Sequence, residues 1–210
     1  MGEVVRDFLV KQARVATWSD LGVREATLVQ RCAARDEAAC AELVSEHQRM
    51  VVQLATNLLG DRDEALDLSQ EVFLRVFRTI HRFRGQSSLR TWIYRIAVNQ
   101  ARNRHRFWRR RHRNDQVSLD AHIALHGEFP SVLGLRPDRL FEQKELGARL
   151  QEALDRLPFD QRTVIVLREI DGLSYDDIAY SLGVAIGTVK SRLTRARQAL
   201  REDLRTERKP

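Results

Sequence analysis

Glycine and proline are scarce in this chain, 10 and 4 of 210 residues, which excludes a turn-rich β protein and favours helix. Aromatic residues make up only 7%, so any core rests mainly on leucine, valine, isoleucine and alanine. The hydrophobic fraction, 43%, is enough for packed cores, and the length leaves room for one or two small domains. Long apolar runs are missing. Charge interrupts the stretch from Met1 to Trp18 every few residues, whereas a membrane span needs roughly 20 apolar residues in succession, so neither a signal peptide nor an anchor is expected.

Cysteine is nearly absent. Cys32 and Cys40 stand eight apart in a helical pattern, about 12 Å along the axis at a rise of about 1.5 Å per residue, too far for a disulfide. They read as small buried hydrophobes in a reduced cytoplasm. A zinc site using His47 lacks a fourth ligand at a useful spacing. His81, His105, His112, His122 and His126 have no carboxylate partner at motif spacing, and no phosphate loop or nucleophile–base pair stands out. The expectation is a protein without catalytic residues, metal, cofactor or small-molecule substrate.

What is present is helical periodicity. Leu28, Cys32, Leu43, Met50, Val51, Leu54 and Leu58 recur at threes and fours, as two helices interrupted near Arg35 and Asp36 and ended by Gly60 and Asp61. A helix from about Asp63 to Thr79 places Ala65, Leu68, Val72, Phe73 and Val76 on one face. A loop around Gly85 follows. Ser87 or Ser88 can cap the next helix, Leu89 to about Arg113. Residues 114–140 hold Gly127, Pro130, Gly134 and Pro137 with weak periodicity and read as a flexible linker. Helical pattern resumes at Phe141, breaks at Pro158, and continues to about Arg205. The expected fold is all-α: an N-terminal extension (1–24), a first helical domain (25–113), the linker, and a second helical domain (141–206).

Charge is divided along the chain. Asp61, Asp63, Glu64, Asp67 and Glu71 cluster with only Arg62 among them; then no acid occurs from Val72 to Asn114, where thirteen arginines stand, Arg75 to Arg113. Like charges at neighbouring helix positions repel, so an acid-free run of this length points to an external polyanion. The net charge of +7 agrees but cannot by itself separate DNA from RNA or an anionic membrane. In the helix after Ser88, Leu89, Trp92, Ile93, Ile96 and Gln100 form a core side. Arg95, Asn99, Arg102, Asn103 and Arg106 form another face, mixing cations for phosphate with amides for base edges. Phe83 and Tyr94 are open to two readings, core packing or a platform for an unstacked base beside the Gly–Ser loop.

A second pattern runs from Leu173 to Leu200. Ser174 and Asp177 form a capping-box pair in which hydroxyl and carboxylate satisfy amides at a helix start. Ile178, Ala179 and Leu182 face inward, Gly183 makes the turn, and Val184, Val189 and Leu193 close a small core. The last helix, from near Gly187, bears Lys190, Arg192, Arg195, Arg197 and Arg201 with no acid until Glu202. This is the pattern of a helix-turn-helix with a recognition helix for the major groove.

Together these segments resemble the extracytoplasmic-function sigma factors of the sigma-70 family, over roughly residues 25–110 and 141–205. GDRDEALDLSQEVFLRVFR (60–78) is similar to the segment that docks on the clamp of the polymerase β′ subunit. RFRGQSSLRTWIYRIAVNQARNRHR (82–106) is similar to the segment that melts and reads the −10 element, and residues 157–197 to the −35-reading domain. The resemblance implies core RNA polymerase and promoter DNA as partners, and commonly an anti-sigma factor. It implies polymerase contacts at Asp63, Asp67, Gln70 and Glu71, with Phe73 largely core. It implies −10 contacts at Arg84, Gly85, Gln86, Ser87, Ser88, Arg95, Asn99, Arg102, Asn103 and Arg106. The −35 contacts would be Thr188, Lys190, Ser191, Arg192, Thr194 and Arg195. Leu66 stands where the family usually has an acid, Ser69 where it often has a β-branched apolar residue, Ala185 where proline is frequent and Thr194 where an aromatic is. Two other readings stay open: a free-standing helix-turn-helix regulator, which leaves the pattern of 61–113 unexplained, and a protein- or RNA-binding adaptor, which leaves the recognition helix unused.

Overall fold

In a computed structural model, described for residues 22–114 and 137–206, the chain is all-α, with no strand among those residues. The N-terminal extension before Gly22 and the linker residues 115–136 lie outside the described residues. Helices α1 (Val23–Ala33), α2 (Glu37–Leu59), α3 (Arg62–Thr79) and α4 (Leu89–Asn114) build the first module. Helices α5 (Pro137–Arg156), α6 (Phe159–Ile165, widening into a π turn over Val166–Ile170), α7 (Tyr175–Leu182) and α8 (Ile186–Thr206) build the second. Helix α5 begins ahead of Phe141, where the periodicity becomes visible, with Pro137 in the first helical position that its missing N–H suits.

Caps mark the boundaries. Asp36 and Asp61 accept the amides of Ala39 and Glu64 at the starts of α2 and α3, at 3.1 and 2.9 Å. Gly60, at φ 74°, ends α2 in the left-handed region. Between α1 and α2 the chain turns through Arg35, which adopts φ 65° although it is not glycine. That turn corrects the expected cysteine spacing: Cys32 lies near the end of α1 and Cys40 near the start of α2, on either side of the turn and not along one helix axis. Both are unbonded; Cys32 is buried, and burial pushes its thiol up to about 12.

Leu43, Leu54, Leu58, Leu68, Val72, Ile93 and Val98 form the centre of the first core; Val164, Leu167, Ile178, Val189, Leu193 and Ala196 form the second. The two are continuous, because α4 and the end of α2 pack directly on the second module. Arg162 of α6 is buried and donates to the Leu58 carbonyl at 2.9 Å, satisfying an acceptor at the end of α2, while pairing with Asp155 at 2.8 Å. Gly60 belongs to the same contact: a Cβ there would lie 2.9 Å from a carboxylate oxygen of Asp155.

Asp171, at the end of the π turn, is half-buried beside Tyr94 of α4, with its Oδ2 shielded from solvent. Burial raises the Asp171 carboxyl to about 6, although the nearby Tyr94 hydroxyl and the charge of Arg90 act the other way. Burial also raises the Tyr94 hydroxyl to about 12. A carboxyl whose folded pKa exceeds its ordinary 3.8 stabilises the fold fully below pH 3.8 and loses that contribution as pH rises through about 6. Asp171→Asn should therefore flatten the pH dependence of stability between about pH 4 and 6, a term on the order of 2–3 kcal/mol. Thermal or urea melts at several pH values will show it; parallel profiles for variant and parent would contradict the burial of this carboxyl.

Candidate nucleic-acid interface

Helix α4 is set by its cap. Ser88, not Ser87, fills that role: its Oγ accepts the Thr91 amide at 3.1 Å and lies 2.8 Å from Thr91 Oγ1. The preceding loop turns at Gly85, φ 68°, leaving Arg84, Gln86 and Ser88 exposed and Ser87 half-buried. Phe83 and Tyr94 are 4% and 0% exposed, and Phe83 packs on Trp92 with ring centroids 5.3 Å apart. Of the two readings for these aromatics, core packing holds, and neither offers a free face to a base. Beyond the loop, Arg95, Asn99, Asn103 and Arg106 lie exposed along α4, with Arg102 half-buried beside them.

The arginine run is not wholly unbalanced. Arg104 reaches back to α3, donating to Glu64 at 2.5 Å and to Glu71 at 2.6 Å. Part of the acidic cluster is thus spent inside the first module, and Glu71 is shared between that pair and the surface. Asp63, Asp67 and Gln70 are exposed on α3, and Phe73 is 6% exposed and belongs to the core. Leu66, already noted where the family usually has an acid, is 39% exposed on this face, and Leu74, which the sequence did not single out, is 54% exposed beside it. Their spacing of eight, two helical turns, was the available signal.

In the second module, Ser174 Oγ accepts the Asp177 amide at 3.1 Å, as a capping box requires. The reciprocal half differs from expectation. The Asp177 carboxylate accepts the Ser174 hydroxyl at 2.5 Å and the Thr91 hydroxyl of α4 at 3.0 Å, so it serves the contact between modules. Gly183, at φ 65°, turns the chain between α7 and α8. On α8, Lys190, Ser191, Thr194 and Arg195 are exposed and Thr188 is half-buried. The Ser191 and Thr194 hydroxyls donate to their own helix, to Thr188 and Lys190 carbonyls at 3.0 and 3.1 Å. Arg197 is held by Glu169 at 2.6 Å, and Arg192 by Asp160 at 2.8 Å. Lys190 and Arg195 are therefore the cations α8 turns outward near its start.

Two helical modules, one with a cap-fixed loop leading into an arginine–amide helix and one a helix-turn-helix with an outward basic helix, define a bipartite nucleic-acid-binding protein. Comparison with known proteins gives the family. Residues 43–113 match sigma-70 region 2 and residues 147–200 match sigma-70 region 4. The chain is 36% identical over 173 residues to the RNA polymerase sigma-H factor of Pseudomonas aeruginosa, covering 82% of this chain and 90% of that one. It is 38% identical over 175 residues to the ECF RNA polymerase sigma-E factor of Escherichia coli K12, again covering 82% and 90%. Among solved structures it is similar to the sigma factor RpoE of Bartonella quintana in complex with the anti-sigma factor NepR (TM-score 0.62, 28% identity, 80% of this chain and 98% of that one). It is also similar to CnrH in complex with the cytosolic domain of CnrY (TM-score 0.63, 26% identity, 87% and 97%). The chain belongs to the extracytoplasmic-function sigma factors, initiation factors that bind core RNA polymerase and promoter DNA and direct transcription.

Proposed function

We propose that the two modules divide promoter recognition between named residues. The loop Arg84–Ser88 and the α4 face of Arg95, Asn99, Arg102, Asn103 and Arg106 capture and read the −10 element. The start of α8, with Thr188, Lys190, Ser191, Arg192, Thr194 and Arg195, reads the −35 element. The observation that carries this reading is the outward face of α4, where amides alternate with arginines over three turns behind a rigid serine cap. Arginine positions the phosphate backbone, and amides present the paired donor and acceptor that distinguish a base edge. The polymerase contact is the exposed α3 face of Asp63, Asp67 and Gln70, with a share of Glu71 and with Leu66 and Leu74 adding apolar surface.

The work is binding and strand separation, without chemistry on a substrate: single-strand capture offsets the few kcal/mol needed to unstack a base. An anti-sigma protein is the expected negative regulator, in line with the complexes formed by RpoE and CnrH. No described helix is long and apolar enough to cross a membrane, and action in the cytoplasm, beside the polymerase, follows from the function.

Run-off transcription on a genomic library, with core RNA polymerase and with or without the chain, tests the reading as a whole. Discrete start sites that depend on the chain are expected; tight duplex binding without any initiation would favour a free-standing regulator. Arg195→Ala should relax −35 preference by roughly 1–3 kcal/mol for one base contact, read from competition between promoter variants. Equal losses on every promoter would make Arg195 a phosphate contact. Asn99→Ala should reduce open-complex formation, followed by permanganate reactivity, more than closed-complex binding; a matched loss of both would remove its melting role. Asp67→Lys should weaken binding to core polymerase with the helical fold intact, and an unchanged titration curve would exclude α3 as the docking face.

A further inference from the structure

The arginine–amide face of α4 carries one residue of another kind. Phe107 is 59% exposed. It stands one helical turn beyond Asn103 and two beyond Asn99, along the same side of the helix. Its outward neighbours one turn away are Asn103, Arg110 and Arg111, all exposed. Trp108, the next residue, behaves differently: it is half-buried and continues the inward side of Ala97 and Ala101. The core beneath α4 takes the indole and leaves the Phe107 ring outside.

A single exposed apolar residue needs no explanation by itself. The setting of this one points to a ligand. Helix α4 contains no acid, and Arg106, Arg109, Arg110 and Arg111 stand exposed around the ring, so the matching surface is a polyanion. Two features select duplex DNA. The amides of Asn99 and Asn103 lead up to the ring, and amides suit base edges in a groove. The chain also enters α4 from the Arg84–Ser88 loop, the proposed site of single-strand capture, so each turn along α4 leads away from the melted strands into upstream duplex.

The major groove, about 12 Å wide, admits a helix, and the apolar group that base edges present there is the 5-methyl of thymine. A phenyl ring set against that methyl removes both from water, while arginines on either side meet phosphates. Four residues separate Asn103 from Phe107, about 6 Å at about 1.5 Å each. That is about two base pairs at about 3.4 Å each. We propose that Phe107 is a specificity-determining residue: it reads a thymine methyl in the duplex edge of the promoter, about two base pairs upstream of the pair that Asn103 meets. This rests on the assignment of α4 to the −10 element.

The test removes the methyl and leaves the protein unchanged. Holoenzyme, reconstituted from core RNA polymerase and the full chain, is titrated with promoter duplexes in which each of the first few base pairs upstream of the melted region carries dT or dU, one position at a time and on either strand. One position should bind about four-fold more weakly with dU, the size expected for one buried methyl group. Phe107→Ala should bind dT and dU alike at that position, at the level of the parent on dU. No dT–dU difference at any position would overturn the proposal. The same dT–dU ratio in parent and Phe107→Ala would overturn it too, because another group would then read the methyl. So would equal weakening of Phe107→Ala on dT and dU, which would make the ring a backbone or protein contact. The −10 assignment fails separately: Asn99→Ala that leaves permanganate reactivity and promoter choice intact would remove the assignment and this proposal together, whereas loss of the dT–dU effect alone removes only the latter.

Discussion

Arginine needs counter-charge, and most of this architecture follows from where that charge comes from. A guanidinium stays ionised and carries five donors, so each one near the protein surface requires carboxylate, carbonyl or an external anion. Helix α4 carries arginines but no acid of its own. Its neighbours supply what it lacks: Glu64 and Glu71 of α3 hold Arg104, and Asp160 of α6 holds Arg102. The arginines left over, together with Asn99 and Asn103, form the face available to nucleic acid.

The same constraint couples the modules. Arg162 is buried where α6 meets the end of α2, and it is tolerated there because the Leu58 and Asp155 carbonyls and the Asp155 carboxylate converge on it. Burial lowers its pKa and Asp155 opposes that. Nearby, His105 stacks on Phe159 at 4.7 Å and is held below its ordinary 6.5, first by burial and then by Arg162 and Arg109. An uncharged ring in a cationic neighbourhood avoids one more unmatched charge. The contact between modules thus joins one continuous apolar core to buried and half-buried charged groups.

Local chemistry and long-range contact share residues throughout. Ser88 caps α4 and simultaneously orients Thr91, which meets Asp177 across the interface; Asp177 belongs to the cap of α7. A capping box is a local device, but its carboxylate has a free choice of donor, and here a hydroxyl from another helix takes it. The reach of such groups over one turn is why a motif read correctly in the sequence acquired a partner outside the motif.

Much of the fold was legible from residue order alone. The periodic apolar faces, the stops at Gly60 and Gly183, the cap at Ser174 and a serine cap before Leu89, left open between Ser87 and Ser88, are set within a few residues, where backbone sterics and side-chain hydrogen bonds act. The exposed positions of α4 and α8 followed from the same periodicity. What sequence could not give depends on pairs distant in the chain: Arg104 with Glu64 and Glu71, Asp160 between Arg102 and Arg192, Asp171 against Tyr94, and Cys40 turned back on Cys32 through a left-handed Arg35. A count of charges along a helix assigns every arginine equally to an outside anion; only the packing of α3 and α6 on α4 decides which are already neutralised.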